Sequence, residues 1–326
     1  MSIKVGIPST LYYYSHFLFW RVFFEGLSME VVTSPVTTKE IVDQGVKEAV
    51  TDACVPIKVF HGHVMNLRDK VDYLFIPRMV SLNGEATFCP KFLGLPDMIR
   101  FSLPDLPPLI EPRIDLKNNK IKLWQICKTI AASLSAGKIK AYGAYRKALN
   151  AQKKFEEKLI AKVKPLEYLQ DYTISTFSAA TGDTPPVRLA VLGYPYELYD
   201  PFISVNILKK LEQLEVETLT IEMIHPKLIA KEASHLPKNL FWHYSNQVIR
   251  AAYYYLHQGI DGLIHITAFG CGPDAMVDKI MELEAKQHNQ VPFMTLTIDE
   301  HSGEAGVMTR LEAFVDMIRL RKGQNA

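Results

Sequence analysis

The sequence predicts an α/β protein made of two similar parallel-sheet domains of the flavodoxin or Rossmann type, which face each other across a cleft. A strand–loop–helix pattern opens the chain, and the same pattern starts again after residue 184. Between them lies a basic segment with little glycine, which predicts a helical connector. We therefore expect a first α/β domain at 1–116, a connector and linker at 117–184, and a second α/β domain at 185–326.

The two predicted domains begin alike. Residues 3–7 (IKVGI) and 187–193 (VRLAVLG) are apolar runs of strand length, and each leads into a loop that contains proline and tyrosine. A helix follows in each domain, and then a short β-rich segment entered through Glu-Val, at residues 30–32 and 216–219. This shared order indicates an internal duplication of one α/β unit.

Short polar side chains mark the predicted helix starts of the first domain. Ser9 or Thr10 is expected to cap the first helix, and Thr38 to start the second. Asp52 is expected to cap the helix over residues 57–67. The physical reason is the same in each case, because a side-chain oxygen at the N-cap accepts a hydrogen bond from an unpaired N–H of the first turn.

Apolar runs bounded by proline, glycine or polar residues predict the other strands. These strands cover residues 73–76, 109–111, 262–266 and 290–296. The segment 109–111 is expected to be an edge strand. Helical patterns cover residues 13–26, 201–214, 242–258 and 305–321.

Composition limits the classes of function. Hydrophobic residues make up 48% of the 326 residues, which is enough for a sizeable core, and the formal net charge is only +2. So small a charge does not predict a nucleic-acid binder. No apolar run reaches the roughly 18 residues of a spanning helix, and the first residues lack a secretory signal pattern. We expect a cytoplasmic protein that binds neither membrane nor nucleic acid.

The segment 117–165 is strongly basic. It carries thirteen lysines and arginines against two acidic residues, Glu156 and Glu157, for a net charge of +11. Because the whole chain has a charge of +2, the remainder carries −9. One interpretation is a solvated helical connector. The other is a docking face for an acidic partner protein or for ligand phosphates.

The four cysteines fall into two groups by their surroundings. Cys54 (ACVP), Cys89 (FCPK) and Cys271 (GCGP) lie next to, or one residue from, proline or glycine, which is typical of turns and helix starts. Cys127 has ordinary helical neighbours, and we interpret it as a packing residue. Cys89 and Cys271 each follow a predicted buried strand, at the sheet edge where α/β proteins bind ligands.

Three separated thiolates suit a metal site that is closed by the fold. The sequence has no CxxC pair, so a zinc ribbon is disfavoured. A 4Fe–4S cluster held by three cysteines is the more specific candidate for this site. Its fourth iron would be open to water, another ligand or a substrate. The residues alone leave one alternative open, in which the three cysteines bind nothing and are small buried hydrophobic side chains.

Two polar residues after the last predicted strand are candidate catalytic groups. Glu300 and His301 lie at the same predicted sheet edge as Cys271, where they could act as acid and base. Capping of the final helix, from Glu300 to Glu304, explains them nearly as well.

The roles of three other polar residues also have two interpretations each. His61 and His63 are either a packed pair on the helix after Cys54 or outer contacts of a cluster. Arg78 pairs either with a carboxylate of the protein or with a phosphate. The loops after the first strand of each domain lack the glycines of a phosphate cradle, and no GxGxxG or Walker motif occurs, so we do not expect this chain to bind ATP.

Five runs of the sequence resemble the 2-hydroxyacyl-CoA dehydratase superfamily and, within it, the acyl-CoA dehydratase activase-related branch. They are DACVPIKVFHGHV, VDYLFIPRMVS, FCPKFLGLPDMI, ITAFGCGPDAM and IDEHSGEAGVMTRLEAFVD. The resemblance spans almost the whole chain. It implies paired α/β domains and an iron–sulfur cluster bound by three cysteines, whose positions correspond here to Cys54, Cys89 and Cys271. The three sulfur atoms would then converge in the cleft between the domains.

The resemblance also implies a function in anaerobic metabolism. In that superfamily an ATP-hydrolysing activator supplies one low-potential electron, which passes to the thioester carbonyl of a 2-hydroxyacyl-CoA, and the resulting ketyl radical expels hydroxide. We accordingly expect a lyase of this type or an ATP-dependent reductase component, which binds a CoA thioester and forms a homo- or heterodimer. Two alternatives stay open: a non-catalytic cluster-bearing scaffold or electron relay, and a plain binding protein for a small acid or CoA ester.

Overall fold

The structure is a computed structural model that describes residues 2–116, 123–161, 187–236, 238–288 and 291–324. The chain divides into two compact units. The first comprises Met1–Glu157 with Leu240–His243, and the second comprises Lys158–Asn239 with Tyr244–Ala326. The predicted linker at 181–186 lies outside the described residues. Within the described ranges, no helix is both long enough and apolar enough to cross a bilayer.

The first unit contains a four-stranded parallel sheet with the strand order β2-β1-β3-β5. Its strands are β1 (Lys4–Ile7), β2 (Glu30–Thr33), β3 (Tyr73–Phe75) and β5 (Leu109–Ile110). Two further strands, β4 (Arg78–Ser81) and β6 (Arg113–Asp115), form a separate parallel pair. The predicted edge strand is confirmed as β5, whereas the β4–β6 pair was not predicted.

In the described part of the chain up to residue 161, seven helices accompany these strands. They are α1 (Tyr13–Gly26), α2 (Lys39–Glu48), α3 (Val55–Leu67), α4 (Pro90–Leu93), α5 (Leu95–Ser102), α6 (Leu123–Ser133) and α7 (Lys138–Ile160). Aromatic side chains of α1 form much of the core, where Trp20 and Phe24 pack against Phe75 of β3. The hydroxyl of Tyr12 donates a hydrogen bond of 2.7 Å to the carbonyl of Phe75. Burying these rings removes a large apolar area from water, which stabilises the core of this unit.

The second unit contains a four-stranded parallel sheet with the order β10-β9-β7-β8. Its strands are β7 (Val187–Leu192), β8 (Val216–Leu219), β9 (Gly262–Ala268) and β10 (Phe293–Ile298). The helices are α8 (Pro195–Leu198), α9 (Ile207–Gln213), α10 (Pro226–Lys231), α11 (His243–His257), α12 (Gly272–Gln287) and α13 (Glu304–Gln324). Two 3₁₀ turns cover Ile221–Met223 and Glu232–His235.

The two main sheets have the same topology. When the four strands of each sheet are numbered in chain order, their order across the sheet is 2-1-3-4. Every adjacent pair is parallel. This confirms the predicted α/β class with two flavodoxin-like parallel sheets. It also places the loops after β1 and β7 at equivalent positions, where the direction of strand addition reverses.

Two of the predicted helix caps are wrong. The N-cap of α1 is Tyr12, and the hydroxyl of Ser9 instead donates to the carbonyl of Ser34 across the sheet edge. The N-cap of α3 is Cys54 rather than Asp52. Pro56 then lies in the first turn, where backbone N–H groups have no partner within the helix, so its missing N–H costs no hydrogen bond. The predicted start of α2 at Thr38 is confirmed, since Thr38 is the N-cap and its side chain accepts a hydrogen bond from the N–H of Ile41.

The predicted helix over 201–214 is interrupted. Val205 and Asn206 have positive φ angles of 51° and 53°, which a helix does not tolerate. Only the later part of the predicted range is helical, as α9, and residues 201–206 form turns. The sequence pattern indicated α9, but it did not reveal the left-handed turn before it.

Gly45 on α2 and Gly62 on α3 let these two helices cross in backbone contact. A Cβ atom on Gly45 would lie 1.9 Å from the carbonyl oxygen of Lys58, and one on Gly62 would lie 1.9 Å from that of Ile41. Neither distance is sterically possible without separating the helices. Because Cys54 caps α3, this crossing also fixes the helix that presents the first candidate ligand.

Candidate functional site

The three cysteines predicted as ligands share one local structure. Cys54, Cys89 and Cys271 are the N-cap residues of α3, α4 and α12, each with extended backbone angles and with proline at the first or second helical position. All three are partly exposed. An N-cap side chain lies at the end of its helix and not along its flank, so the sulfur is available to a ligand. In α3 and α12 the helix dipole also favours a thiolate.

Cys127 differs in every one of these respects. It lies inside α6, its side chain is 0% exposed, and burial raises the pKa of its thiol to about 12. A thiol with so high a pKa remains protonated and inert at neutral pH. This placement agrees with a packing role for Cys127.

The cysteines are distributed over both units. Cys54 and Cys89 belong to the first unit, and Cys271 belongs to the second. The convergence of their sulfur atoms on one centre in a cleft stays a prediction.

Around Cys271 the structure collects a group of buried acids. One carboxylate oxygen of Glu197 on α8, one of Asp274 on α12 and the sulfur of Cys271 lie within 4.8 Å of one another. Glu197 and Asp274 are 1% and 0% exposed. The atoms Glu197 Oε1 and Asp274 Oδ2 are buried and have no hydrogen-bond partner among the described residues. Buried polar atoms without partners are rare, and they indicate a place where a ligand or a proton completes the structure.

The surroundings of Glu197 favour its neutral form. Burial, followed by the charge of Asp274, raises the pKa of the Glu197 carboxyl well above its usual value. Its Oε2 atom accepts a hydrogen bond from the N–H of Tyr194 at 3.2 Å. Both effects favour the protonated form of this carboxyl, which lies beside the sulfur of Cys271.

His265 of β9 is charged in spite of its burial. Burial alone would lower the pKa of this imidazole, but the charge of Asp274 and hydrogen bonds with Asp274 and Asp278 raise it to about 9. Its Nδ1 lies 2.7 Å from Asp278 Oδ1 and its Nε2 lies 3.3 Å from Asp274 Oδ1. Thr295 of β10 donates a further hydrogen bond to Asp278 at 2.6 Å. Although burial opposes them, the hydrogen bonds from His265 and Thr295 in turn lower the pKa of Asp278.

A cavity of about 420 Å³ opens beside these groups. It is lined by residues from the ends of β9 and β10 and the start of α12, including Thr267, Phe269, Cys271, Asp278 and Thr297. Phe269 is 66% exposed at its rim. The volume lies in the range of pockets that bind small organic ligands.

The predicted catalytic pair occupies the turn between β10 and α13. The N–H of His301 donates to Asp299 Oδ1 at 2.9 Å, and its side chain is exposed. Glu300 is partly buried. Glu304 starts α13 and pairs with Lys210 at 2.5 Å. The turn does follow a strand adjacent to β9, as predicted, and the acid–base role of Glu300 and His301 stays a prediction.

His61 and His63 are packed inside the first unit. His63 Nδ1 lies 2.7 Å from Ser34 Oγ and its Nε2 lies 2.9 Å from Thr37 Oγ1. Burial lowers the pKa of His63 to about 3. His61 is also buried, with Nδ1 2.8 Å from the carbonyl of Ile57. Both ring nitrogens of each histidine are engaged within the protein, which favours the packed-pair interpretation.

Arg78 forms internal ion pairs. Its guanidinium lies 2.8 Å from Asp97 and 4.0 Å from Glu111, and it donates to the carbonyl of Leu93 at 2.6 Å. These contacts favour a carboxylate of the protein over a phosphate as the partner of Arg78.

The basic segment is helical over the part that the structure describes. α6 and α7 cover 123–133 and 138–160, while 117–122 and 162–165 lie outside the described residues. α7 is anchored by small side chains, since a Cβ on Gly26 would meet Ala144 at 2.6 Å. Lysines cover its outer face, and Lys153 pairs with Glu157 at 3.7 Å. Both interpretations of its charge stay open.

Sequence reasoning missed the acids around Cys271 and their histidine. One signal was present: His265 interrupts an otherwise apolar strand, and a polar residue in a fully buried strand needs a partner. Asp274 lies in the motif ITAFGCGPDAM, but nothing in that motif indicates its contact with His265. No comparable signal marks Glu197, because its burial depends on how α8 packs near β9.

Fold and site together define an α/β protein with two flavodoxin-like sheets and three cysteines at helix starts. The chain belongs to the family described as "CoA enzyme activase uncharacterised domain", whose model matches residues 4–224. This agrees with the activase-related resemblance of the sequence. The matched range includes Cys54, Cys89 and Glu197, and ends before Cys271.

Other comparisons add little. No curated protein matches the sequence significantly. Among solved structures, a presumed phosphosugar isomerase from Silicibacter pomeroyi DSS-3 is similar at 12% identity, over 99% of this chain and 87% of that one, with a TM-score of 0.21. So low a score supports no argument about this chain.

Proposed function

We propose that this chain is an iron–sulfur protein of the 2-hydroxyacyl-CoA dehydratase type, within the activase-related family to which it belongs. In this proposal Cys54, Cys89 and Cys271 hold a 4Fe–4S cluster, which receives low-potential electrons from an ATP-hydrolysing activator. The observation that carries the proposal is the shared N-cap geometry of these three cysteines, which Cys127 lacks.

The donor set fits such a cluster. Three partly exposed thiols supply three ligands, and the unpartnered oxygens of Glu197 and Asp274 lie beside one of them. A carboxylate or a substrate oxygen is a suitable fourth ligand for iron. When bound, the cluster would supply one-electron chemistry to a thioester carbonyl.

The residues around Cys271 would supply the proton chemistry. Removal of a 2-hydroxyl group requires a proton for the departing hydroxide, and Glu197, whose pKa is raised, would supply it from beside Cys271 in the cavity wall. The imidazolium of His265 contacts Asp274 and Asp278 and would fix both side chains in position. The cavity at the ends of β9 and β10 would receive the acyl part of a small CoA thioester.

The family description raises a second candidate, an ATP-dependent activase. The loops after β1 and β7 would be the natural phosphate sites in such sheets. One amide of each loop is already engaged, since the N–H of Ser9 donates to Ser34 Oγ and that of Tyr194 donates to Glu197 Oε2. This occupancy favours a partner of the ATPase over the ATPase itself. A non-catalytic scaffold or electron relay within a larger activase is therefore the stronger alternative.

Iron binding is tested by purifying the chain without oxygen. We expect a brown protein with about four irons per chain. Cys54→Ser, Cys89→Ser and Cys271→Ser should each lose iron while keeping the wild-type circular dichroism spectrum. Cys127→Ala is the matched control and should keep its iron. Colourless wild-type protein after anaerobic reconstitution, or bleaching by Cys127→Ala alone, would contradict the ligand assignment.

Catalysis is separated from electron relay by a second assay. The iron-loaded chain is mixed with a reduced activator, ATP and a panel of 2-hydroxyacyl-CoA thioesters, and dehydration is followed. Glu197→Gln should lower the rate about 10²–10⁴-fold without loss of iron, since a general acid contributes that much. Cluster reduction with no dehydration of any thioester would support the relay instead.

A further inference from the structure

We propose that the second unit carries a divalent metal site of the zinc class, formed by Glu232, His235 and His257 and supported by His288. The site is separate from the cysteines. One oxygen of Glu232 and one ring nitrogen of each of His235 and His257 lie within 4.8 Å of one another. All four residues belong to the second unit.

The ligand spacing matches a tetrahedral ion. His235 Nε2 lies 3.3 Å and His257 Nδ1 lies 3.5 Å from Glu232 Oε2. Two ligands bonded to zinc at about 2.0–2.1 Å in tetrahedral geometry are about 3.4 Å apart. Two histidines and a glutamate form a known zinc ligand set, and imidazole also suits nickel and copper.

Glu232 Oε2 lacks a partner that would explain its burial. It is buried and accepts no hydrogen bond among the described residues, although two ring nitrogens lie near it. Neither nitrogen is therefore aligned to donate to this oxygen. A cation placed between the three atoms would satisfy the oxygen and both nitrogens together.

The tautomers set by the surrounding bonds favour a cation. His288 Nδ1 lies 3.0 Å from the carbonyl of Glu284, so its Nδ1 carries the hydrogen. An uncharged ring with this tautomer accepts at Nε2, which lies 3.3 Å from His257 Nε2, and His257 then donates there. That leaves a lone pair on His257 Nδ1 directed toward a carboxylate oxygen. Two such acceptors repel each other unless a metal ion or a proton lies between them.

The site has the outer support that metal ligands need. His288 holds His257 through its second nitrogen, which is the usual way of fixing a ligating histidine. The ring of His235 stacks on Tyr253 at a centroid distance of 5.4 Å. Glu232 and His235 lie three residues apart in a 3₁₀ turn, which places them on one face.

The location indicates a structural ion. His257 ends α11 and His288 follows α12, so an ion would join the ends of these helices to the 3₁₀ turn. The candidate cysteine lies at the other end of α12, a helix of 16 residues and therefore about 24 Å long. The three histidine side chains are between 29% and 45% exposed, so an ion can enter the site from solvent.

The test is metal titration of the full chain. Zn²⁺ is titrated into the metal-free protein by calorimetry, and Co²⁺ is used as a coloured substitute for zinc. Wild type should bind one more equivalent of Zn²⁺ than His257→Ala, and that equivalent should raise the unfolding midpoint. The corresponding cobalt spectrum should lack a sulfur-to-metal charge-transfer band, which separates this site from thiolate binding.

Two further variants control the test. His288→Ala should weaken binding about 10- to 100-fold without abolishing it, as loss of an outer partner does. His225→Asn, an exposed histidine that caps α10, should bind like wild type. Equal stoichiometry and affinity in wild type and His257→Ala would overturn the proposal, and would assign the space between these side chains to a proton. Iron content should be the same in all of these variants.

Discussion

Each unit contains a fully buried histidine, and at neutral pH one of them is neutral and the other is positively charged. His63 in the first unit and His265 in the second are both 0% exposed. His63 lies between two hydroxyl groups and has a pKa of about 3, whereas His265 lies between two carboxylates and has a pKa of about 9. Burial therefore does not decide the charge of a histidine in this protein; the chemistry of its partners does.

The largest expected effect comes from removing each ring. His265→Gln leaves Asp274 and Asp278 without their counter-charge, and we expect a loss of about 3–5 kcal/mol in the free energy of unfolding. His63→Gln removes only bonds between neutral groups and should cost about 1–3 kcal/mol. Urea unfolding of both variants at pH 7 measures the difference. Equal losses would contradict the charged state of His265.

Opposite pH dependences should follow from the two pKa values. His265 stabilises the fold fully below its unfolded pKa of about 6.5, and this contribution is lost as pH rises through about 9. His63 contributes above pH 6.5, and its contribution falls as pH decreases toward about 3. Each group changes the unfolding free energy by about 1.4 kcal/mol per pH unit in its own window.

Urea unfolding across a pH series measures these slopes. His265→Gln should remove the alkaline loss, and His63→Gln should remove part of the acid loss. An alkaline slope that is unchanged in His265→Gln would mean that another group titrates there.

Ser34→Ala should have an intermediate effect. The Ser34 hydroxyl bonds to His63 Nδ1 and accepts from the N–H of Ser9, so its loss leaves two buried groups unsatisfied. We expect a cost of about 1–3 kcal/mol by urea unfolding. Thr129→Ala, an exposed hydroxyl on α6 bonded only to its own helix, is the control and should change stability by less than about 0.5 kcal/mol.

Glu197→Gln should have the smallest effect on stability. Glutamine has nearly the same shape as the neutral acid, so we expect a change below about 1 kcal/mol at pH 7. Asp274→Asn is the matched comparison and should cost more, because it removes a charge that faces the imidazolium of His265. If Glu197→Gln strongly stabilised the protein at pH 7, an ionised Glu197 would be the explanation.

The fold could be predicted from the sequence because its signals are local. Apolar runs before Pro8 and Pro77, and the repeat that begins at Val187, are visible in short windows. The turn contexts of Cys54, Cys89 and Cys271 were visible for the same reason. Each N-cap position is fixed by the proline that follows it.

The acids of the candidate site could not be predicted in this way. Glu197, His265 and Asp274 come from different elements, α8, β9 and α12, and their charges depend on contacts that only folding creates. The interruption before α9 was missed because residues with positive φ there are Val205 and Asn206, and valine rarely adopts that conformation.

The glycine crossing between α2 and α3 limits how this sequence can vary. Each glycine faces the backbone of the other helix, so a second substitution cannot make room for the first. In a saturation library, we expect positions 45 and 62 to reject every other amino acid, including alanine. Gly137 and Gly143, where an added Cβ meets nothing within 4 Å, should accept many. The helix that presents Cys54 would thus be among the least mutable parts of the protein, for reasons of space and independently of any cofactor.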